Sequence, residues 1–117
     1  MEELSLNAFT IDEVKKETVE MVNQLIPQDV VRIVLYGSCA RGDFHADSDI
    51  DIALLTKCSR CDAEKYNDIL SRIATELAMK YFAIVNFVCL PYDEYMNKKN
   101  WYPYFANIER EGVILYG

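Results

Sequence analysis

Two aspartates one residue apart, Asp49 and Asp51, open an apolar run that continues through Ala53-Leu54-Leu55. Ten intervening residues separate them from a Gly37-Ser38 pair that ends an earlier apolar run, Val30 to Tyr36. Side chains alternate across a strand, so Asp49 and Asp51 project from one face while Ile50 and Ile52 project from the other. At roughly 6 Å apart and an effective dielectric near 20, two such carboxylates repel by about 2–3 kcal/mol, so a cation is expected between them. Mg²⁺, or Mn²⁺ in its place, is the natural occupant, a hard ion that binds through one or two carboxylates together with substrate phosphates. Gly37 lets the backbone come close to a ligand. Ser38 offers a hydroxyl and an amide at the start of a short helix, and together they make half of a phosphate site. Arg41 lies one turn further on, with a guanidinium suited to a phosphate oxygen. Its alternative is a surface ion pair with a neighbouring acid. His45, in the polar loop before the aspartates, is read as incidental.

These residues need strands and turns to hold them. Val30 to Tyr36 is rich in β-branched residues and nearly continuous in apolar character, as an interior strand should be, and Asp49 to Leu55 reads as a second strand. Ahead of them Ile11, Val14, Thr18, Met21 or Val22, and Leu25 recur at helical spacing. Thr10 to Glu13 has the form of a capping box, and Pro27 marks the helix end. Cys39 to Gly42 reads as one helical turn and Asp43 to Ser48 as a loop. After a further loop, Thr56 to Cys61, the spacing predicts a helix from about Asp62 to Lys80, with Ala63, Tyr66, Ile69, Leu70, Ile73, Leu77 and Tyr81 along one face. Phe82 to Leu90 reads as a third strand, interrupted by the polar Asn86. Pro91 opens a short helix, Pro103 to Glu111 is helical, Gly112 ends it, and Val113 to Tyr116 is a last short strand.

Gly37, Ser38, Ala40, Arg41, Gly42, Ser48, Asp49, Ile50 and Asp51 together resemble the signature of the minimal nucleotidyltransferases, small members of the DNA polymerase β-like superfamily. The tail from Asn107 to Tyr116 is also of a kind seen in such proteins. The resemblance implies an α/β (α+β) fold, a mixed β-sheet flanked by helices, as a single minimal domain over residues 1–117. It implies ATP or another NTP as donor, with Mg²⁺, and transfer of a nucleoside monophosphate to a hydroxyl. Asp49 and Asp51 would be catalytic and metal-binding, and Gly37, Ser38 and Arg41 nucleotide-binding. It further implies a protein partner, because members are often encoded beside a HEPT-domain protein as an antitoxin and toxin pair in which a tyrosine of the toxin is adenylylated. The chain departs from the pattern in its third strand. Where many active members carry a third carboxylate, the aligned residue is Asn86, whose amide oxygen can ligate a metal but is a poor base.

The composition narrows the partners. With 117 residues, 51% hydrophobic and 26% charged, the chain is expected to form one domain with a single core. A net charge of -7 disfavours long nucleic acid, whose binding depends on lysine and arginine against phosphates. No apolar run reaches the length of a membrane span, and Met1-Glu2-Glu3-Leu4 is unlike a signal peptide, so a cytoplasmic location is expected. The four cysteines fit a reducing compartment. Cys58 and Cys61 form a lone C-x-x-C that lacks two further ligands for zinc, the only histidine being His45.

Two functions of different kinds fit these residues. One is a metal-dependent nucleotidyltransferase that modifies a hydroxyl on a partner protein. The other is a nucleotide-binding antitoxin, weak or inactive in catalysis, that neutralises its toxin by binding. Modification of a small molecule is disfavoured because no residues are left for a second, acceptor-holding domain, so the acceptor platform is expected from a second chain. The aromatic cluster Trp101, Tyr102, Tyr104 and Phe105 is expected to be part core cover and part interface.

Overall fold

The computed structural model describes residues 6–26, 28–57 and 64–117. Helix α1, Ala8–Leu25, buries the stripe Ile11, Val14, Thr18 and Val22. Its cap is Asn7 rather than a box at Thr10, because the Asn7 side chain accepts the Thr10 N–H at 2.9 Å and satisfies a free amide three residues downstream. Strand β1, Val30–Tyr36, is followed by the one-turn helix α2, Ser38–Arg41, and then by strand β2, Ile50–Thr56. A 3₁₀ turn, Glu64–Tyr66, leads into helix α3, Asn67–Tyr81. Cys58, Cys61, Asp62 and Ala63 lie outside the described residues.

Strand β3, Val85–Pro91, starts three residues later than the spacing predicts. The reason is Phe82, which closes α3 in the left-handed region at φ 55° and turns the chain away before an extended ladder can begin. Helix α4, Tyr92–Lys98, helix α5, Pro103–Glu111, and strand β4, Val113–Tyr116, complete the chain. Pro103 stands in the first turn of α5, where its fixed φ suits a helix and its missing N–H costs nothing.

The four strands form one sheet in the order β3-β2-β1-β4. β1 is antiparallel to both β2 and β4, whereas β2 and β3 are parallel, so the sheet is mixed. Across it Tyr36 stands opposite Asp51, and Asp51 opposite Asn86. One face, carrying Ile33, Leu35, Ile50, Ile52, Leu54 and Val85, packs under α1 and α3 as the larger core. Each such aliphatic side chain contributes about 1.5–3 kcal/mol on burial. The other face is covered only in part, by α4 and α5, through Val34, Leu55, Tyr95, Phe105 and Ile108. The uncovered remainder of that face holds the aspartates. No helix among the described residues is long and apolar enough to cross a membrane.

Candidate active site

β1 ends at Tyr36, and Gly37 turns the chain at φ 77°, in the region open to glycine. A Cβ on Gly37 would also lie 2.7 Å from Asp51 Oδ2, so glycine is required for conformation and for space. In α2 the amides of Ala40 and Arg41 both donate to the Gly37 carbonyl, at 3.0 and 3.1 Å. The amides of Ser38 and Cys39 precede the first helical bond, and such groups are directed outward from a helix start. Behind them the buried Cys39 thiol contacts the Asp49 carbonyl at 3.5 Å, which ties α2 to the entry of β2.

Asp49 stands just before β2 and Asp51 within it, both half-buried. The parallel register brings Asn86 to them. Its Nδ2 donates to Asp49 Oδ2 at 3.0 Å and to Asp51 Oδ1 at 3.3 Å, so both carboxylates converge on one point. Nearby groups sense their charge. Burial first, then the charge of Asp51, pushes the Cys39 thiol above its usual range. The Tyr36 phenol is pushed up chiefly by burial, then by its hydrogen bond with Tyr104, with Asp51 adding to both.

The residues fit a divalent cation. Two carboxylates aimed at a point now filled by an amide N–H₂ form a hard, anionic donor set, and rotation of the Asn86 amide would present its oxygen there instead. Among the described residues no group of three or more histidine, cysteine or acidic side chains is placed to hold a metal ion together, so the remaining ligands would come from substrate phosphates and water.

Arg41 lies on α2, but its guanidinium faces acids. Nε bonds Asp43 at 3.2 Å and Nη1 bonds Glu111 at 3.1 Å, linking the Gly-Ser turn to the end of α5. Holding a phosphate would require it to exchange one of these partners. His45 is exposed, and its main-chain N–H is bonded by the Ser48 hydroxyl oxygen at 2.7 Å, which shapes the loop. Residue spacing does not reveal the aromatic wall beside the aspartates, where the Tyr36 and Tyr104 hydroxyls meet at 3.1 Å. The strand parity of Tyr36 with the sheet face was its only signal. Of the aromatic cluster, Phe105 is 3% exposed and belongs to the core, while Trp101, Tyr102 and Tyr104 are 66%, 42% and 41% exposed.

Two hollows flank the site. One of about 320 Å³ lies beside Asp49, between residues 46–49 and 82–84. The other, about 260 Å³, lies between α3 and β3 and begins at Asn86.

A Methanocaldococcus jannaschii protein provisionally named a protein adenylyltransferase is 31% identical over 101 residues, covering 86% of this chain and 93% of its own. A crystal structure of a toxin-antitoxin with AMP-PNP superposes with a TM-score of 0.58 at 22% identity, over 88% of this chain and 73% of that one. A Shewanella oneidensis complex of a tri-AMPylated HEPN toxin with an MNT antitoxin gives a TM-score of 0.51 at 18% identity, over 91% and 71% of the two chains. At these identities the two structures speak for the fold. Residues 11–113 match the nucleotidyltransferase domain family. With Gly37, Ser38, Asp49 and Asp51 assembled on one uncovered sheet end, the chain belongs to that family and is a nucleotidyltransferase.

Proposed function

We propose that this nucleotidyltransferase is metal-dependent and transfers AMP from ATP to a hydroxyl on a partner protein, a HEPN-type toxin. The observation that carries this reading is the convergence of Asp49 and Asp51 on one point beside the Gly37 turn. The name of the Methanocaldococcus jannaschii relative and the AMPylated toxin of the Shewanella oneidensis complex support the nucleotide and the partner class. The HEPN class stands where the resemblance alone suggested a HEPT-domain partner.

In this reading Gly37 and Ser38 hold the phosphates, with Arg41 joining them once it leaves Glu111. Asp49 and Asp51, with the Asn86 amide oxygen, would hold Mg²⁺, which supplies charge stabilisation at the α-phosphate and the departing pyrophosphate. The acceptor oxygen forms a bond to the α-phosphorus as the bond to the β-phosphate oxygen breaks. Pyrophosphate leaves with that electron pair, and the hydroxyl proton goes to water. Asn86 cannot take it, having no basic atom.

Asn86 also favours a second reading, an antitoxin that binds its toxin with weak or no transfer. Incubation with α-labelled ATP, Mg²⁺ and a HEPN-type partner decides between them. Label on the partner, abolished by Asp49→Ala with Asp51→Ala, is the expected result. Tight binding with no label from any NTP would establish the second reading, and efficient labelling of a free alcohol or sugar would overturn both.

A further inference from the structure

Arg41 is tied to two acids of different origin. Asp43 lies two residues on in the chain, moves with the same turn, and accepts from Nε at 3.2 Å. Glu111 is the last residue of α5, 70 residues on, and accepts from Nη1 at 3.1 Å. The first contact follows from neighbourhood along the chain. The second exists only because the fold sets the end of α5 beside the Gly37 turn.

That placement is firmly held. Gly112 follows Glu111, and its N–H donates to the Ile108 carbonyl at 2.8 Å. A Cβ on Gly112 would collide with that carbonyl oxygen and with Val34 of β1, so glycine lets the end of α5 settle directly on the sheet. The next residue, Val113, pairs with Leu35, two residues before Gly37. The carboxylate therefore has a fixed base, while its contact stays open to solvent: the Arg41 and Glu111 side chains are 42% and 27% exposed, so a ligand can reach both.

Three parts of the site lie in order along one end of the sheet. The aspartates open β2, the Gly37 turn follows the neighbouring β1, and Glu111 precedes β4 beyond it. A nucleotide with its α-phosphate at the aspartates and its later phosphates along the Gly37-Ser38 turn runs towards Arg41. At Nη1 it meets a carboxylate already in place. Carboxylate and phosphate oxygens accept guanidinium N–H groups in the same planar geometry, so Glu111 stands where a terminal phosphate would bind.

We propose, resting on the phosphate role given to Arg41 above, that Glu111 is a positioning residue that competes with the terminal phosphates of the nucleotide for Arg41. Before binding, Glu111 holds the guanidinium beside the turn. On binding, a terminal phosphate replaces Glu111 at Nη1 while Asp43 keeps Nε. The displaced carboxylate is not stranded, because it is open to water and its other oxygen lies 3.8 Å from Arg110 Nη2. After transfer, pyrophosphate meets the same competition, and Glu111 retakes Arg41 as it leaves. AMP has no terminal phosphates to make the exchange. An exposed ion pair is weak, so the competition is worth a few fold in affinity rather than orders of magnitude.

Equilibrium binding of ATP, pyrophosphate and AMP, each with Mg²⁺, to the full chain and to Glu111→Gln, Arg41→Ala and the double variant tests this exchange. Glu111→Gln should tighten ATP and pyrophosphate by about two- to fivefold and leave AMP affinity and the melting temperature as in wild type. Arg41→Ala should weaken ATP and pyrophosphate. In that background Glu111→Gln should change nothing, since the carboxylate then has no guanidinium to withhold. Tightening that persists without Arg41, or that is equal for AMP, overturns the exchange, because removal of one negative charge near an anionic ligand would explain it. ATP affinity unmoved or weakened by Glu111→Gln, while Arg41→Ala still weakens ATP, overturns the exchange and keeps the phosphate role of Arg41. ATP affinity indifferent to Arg41→Ala overturns both.

Discussion

The sheet face that carries the site has two ends with different fates. Asp51 and Leu55 lie on the same strand with the same parity, about 13 Å apart. Leu55 is fully buried under α4 and α5 with Val34, Tyr95, Phe105 and Ile108. Asp51 stands half-buried beside Gly37 and Asn86, at the polar end of that face. Parity decides the face, but the elements packed above decide whether a position is core or chemistry. An ionised carboxylate moved to position 55 would lose its hydration with no partner to replace it.

The largest effect expected is therefore from exchanging the two characters. Leu55→Asp should cost more than about 4 kcal/mol and leave little folded protein, since it buries an unpaired charge. Asp51→Leu should leave the melting temperature unchanged or slightly raised while lowering transfer by about a thousandfold. Thermal denaturation together with labelled-ATP assays checks both. A destabilised Asp51→Leu would break the comparison.

Gly37→Ala should cost about 1–3 kcal/mol from strain at φ 77°. Because the new Cβ meets Asp51 at 2.7 Å, the variant should also lose the rise in melting temperature expected of the wild type with Mg²⁺. A variant that keeps the full Mg²⁺ response would remove Gly37 from the site.

Asn86→Asp sharpens the open end. Three carboxylates in place of two should lower stability without metal by about 1–2 kcal/mol, and Mg²⁺ or Mn²⁺ should restore it. With a base now beside the acceptor, transfer should rise by about a hundredfold. No change in metal affinity, stability or rate would place Asn86 outside the site.

The smallest effect belongs to the closed end. The Tyr95 hydroxyl donates to Glu109 at 2.8 Å, and this bond, with help from Lys99 and against partial burial, holds the carboxyl below its usual 4.5. A lowered folded pKa adds stability that is present above the unfolded value and is lost as pH falls through the folded one. Acid unfolding below pH 4.5 should thus carry a contribution from Glu109 that Tyr95→Phe reduces. Screening at this partly exposed carboxylate keeps the change to about 0.5 kcal/mol near neutral pH. Melting curves of the two proteins from pH 3 to 7 measure it, and parallel curves would show that Glu109 gains nothing from the bond.

By itself the sequence determined what depends on neighbours along the chain. The span of β1, the Gly-Ser turn, the aspartates on one face, the Pro103 helix and the family all follow from local spacing and type. Even there, Asn7 and Phe82 moved element ends, because a side-chain cap and a left-handed residue override the apolar pattern. Only the tertiary structure decided what depends on register and on cover. Asn86 meets Asp49 across 37 residues, Arg41 meets Glu111 across 70, and Tyr36 meets Tyr104 across 68. No spacing encodes such meetings. They arise when strands align so that each buries its own apolar face, and the polar residues of the opposite face are carried into contact by that alignment.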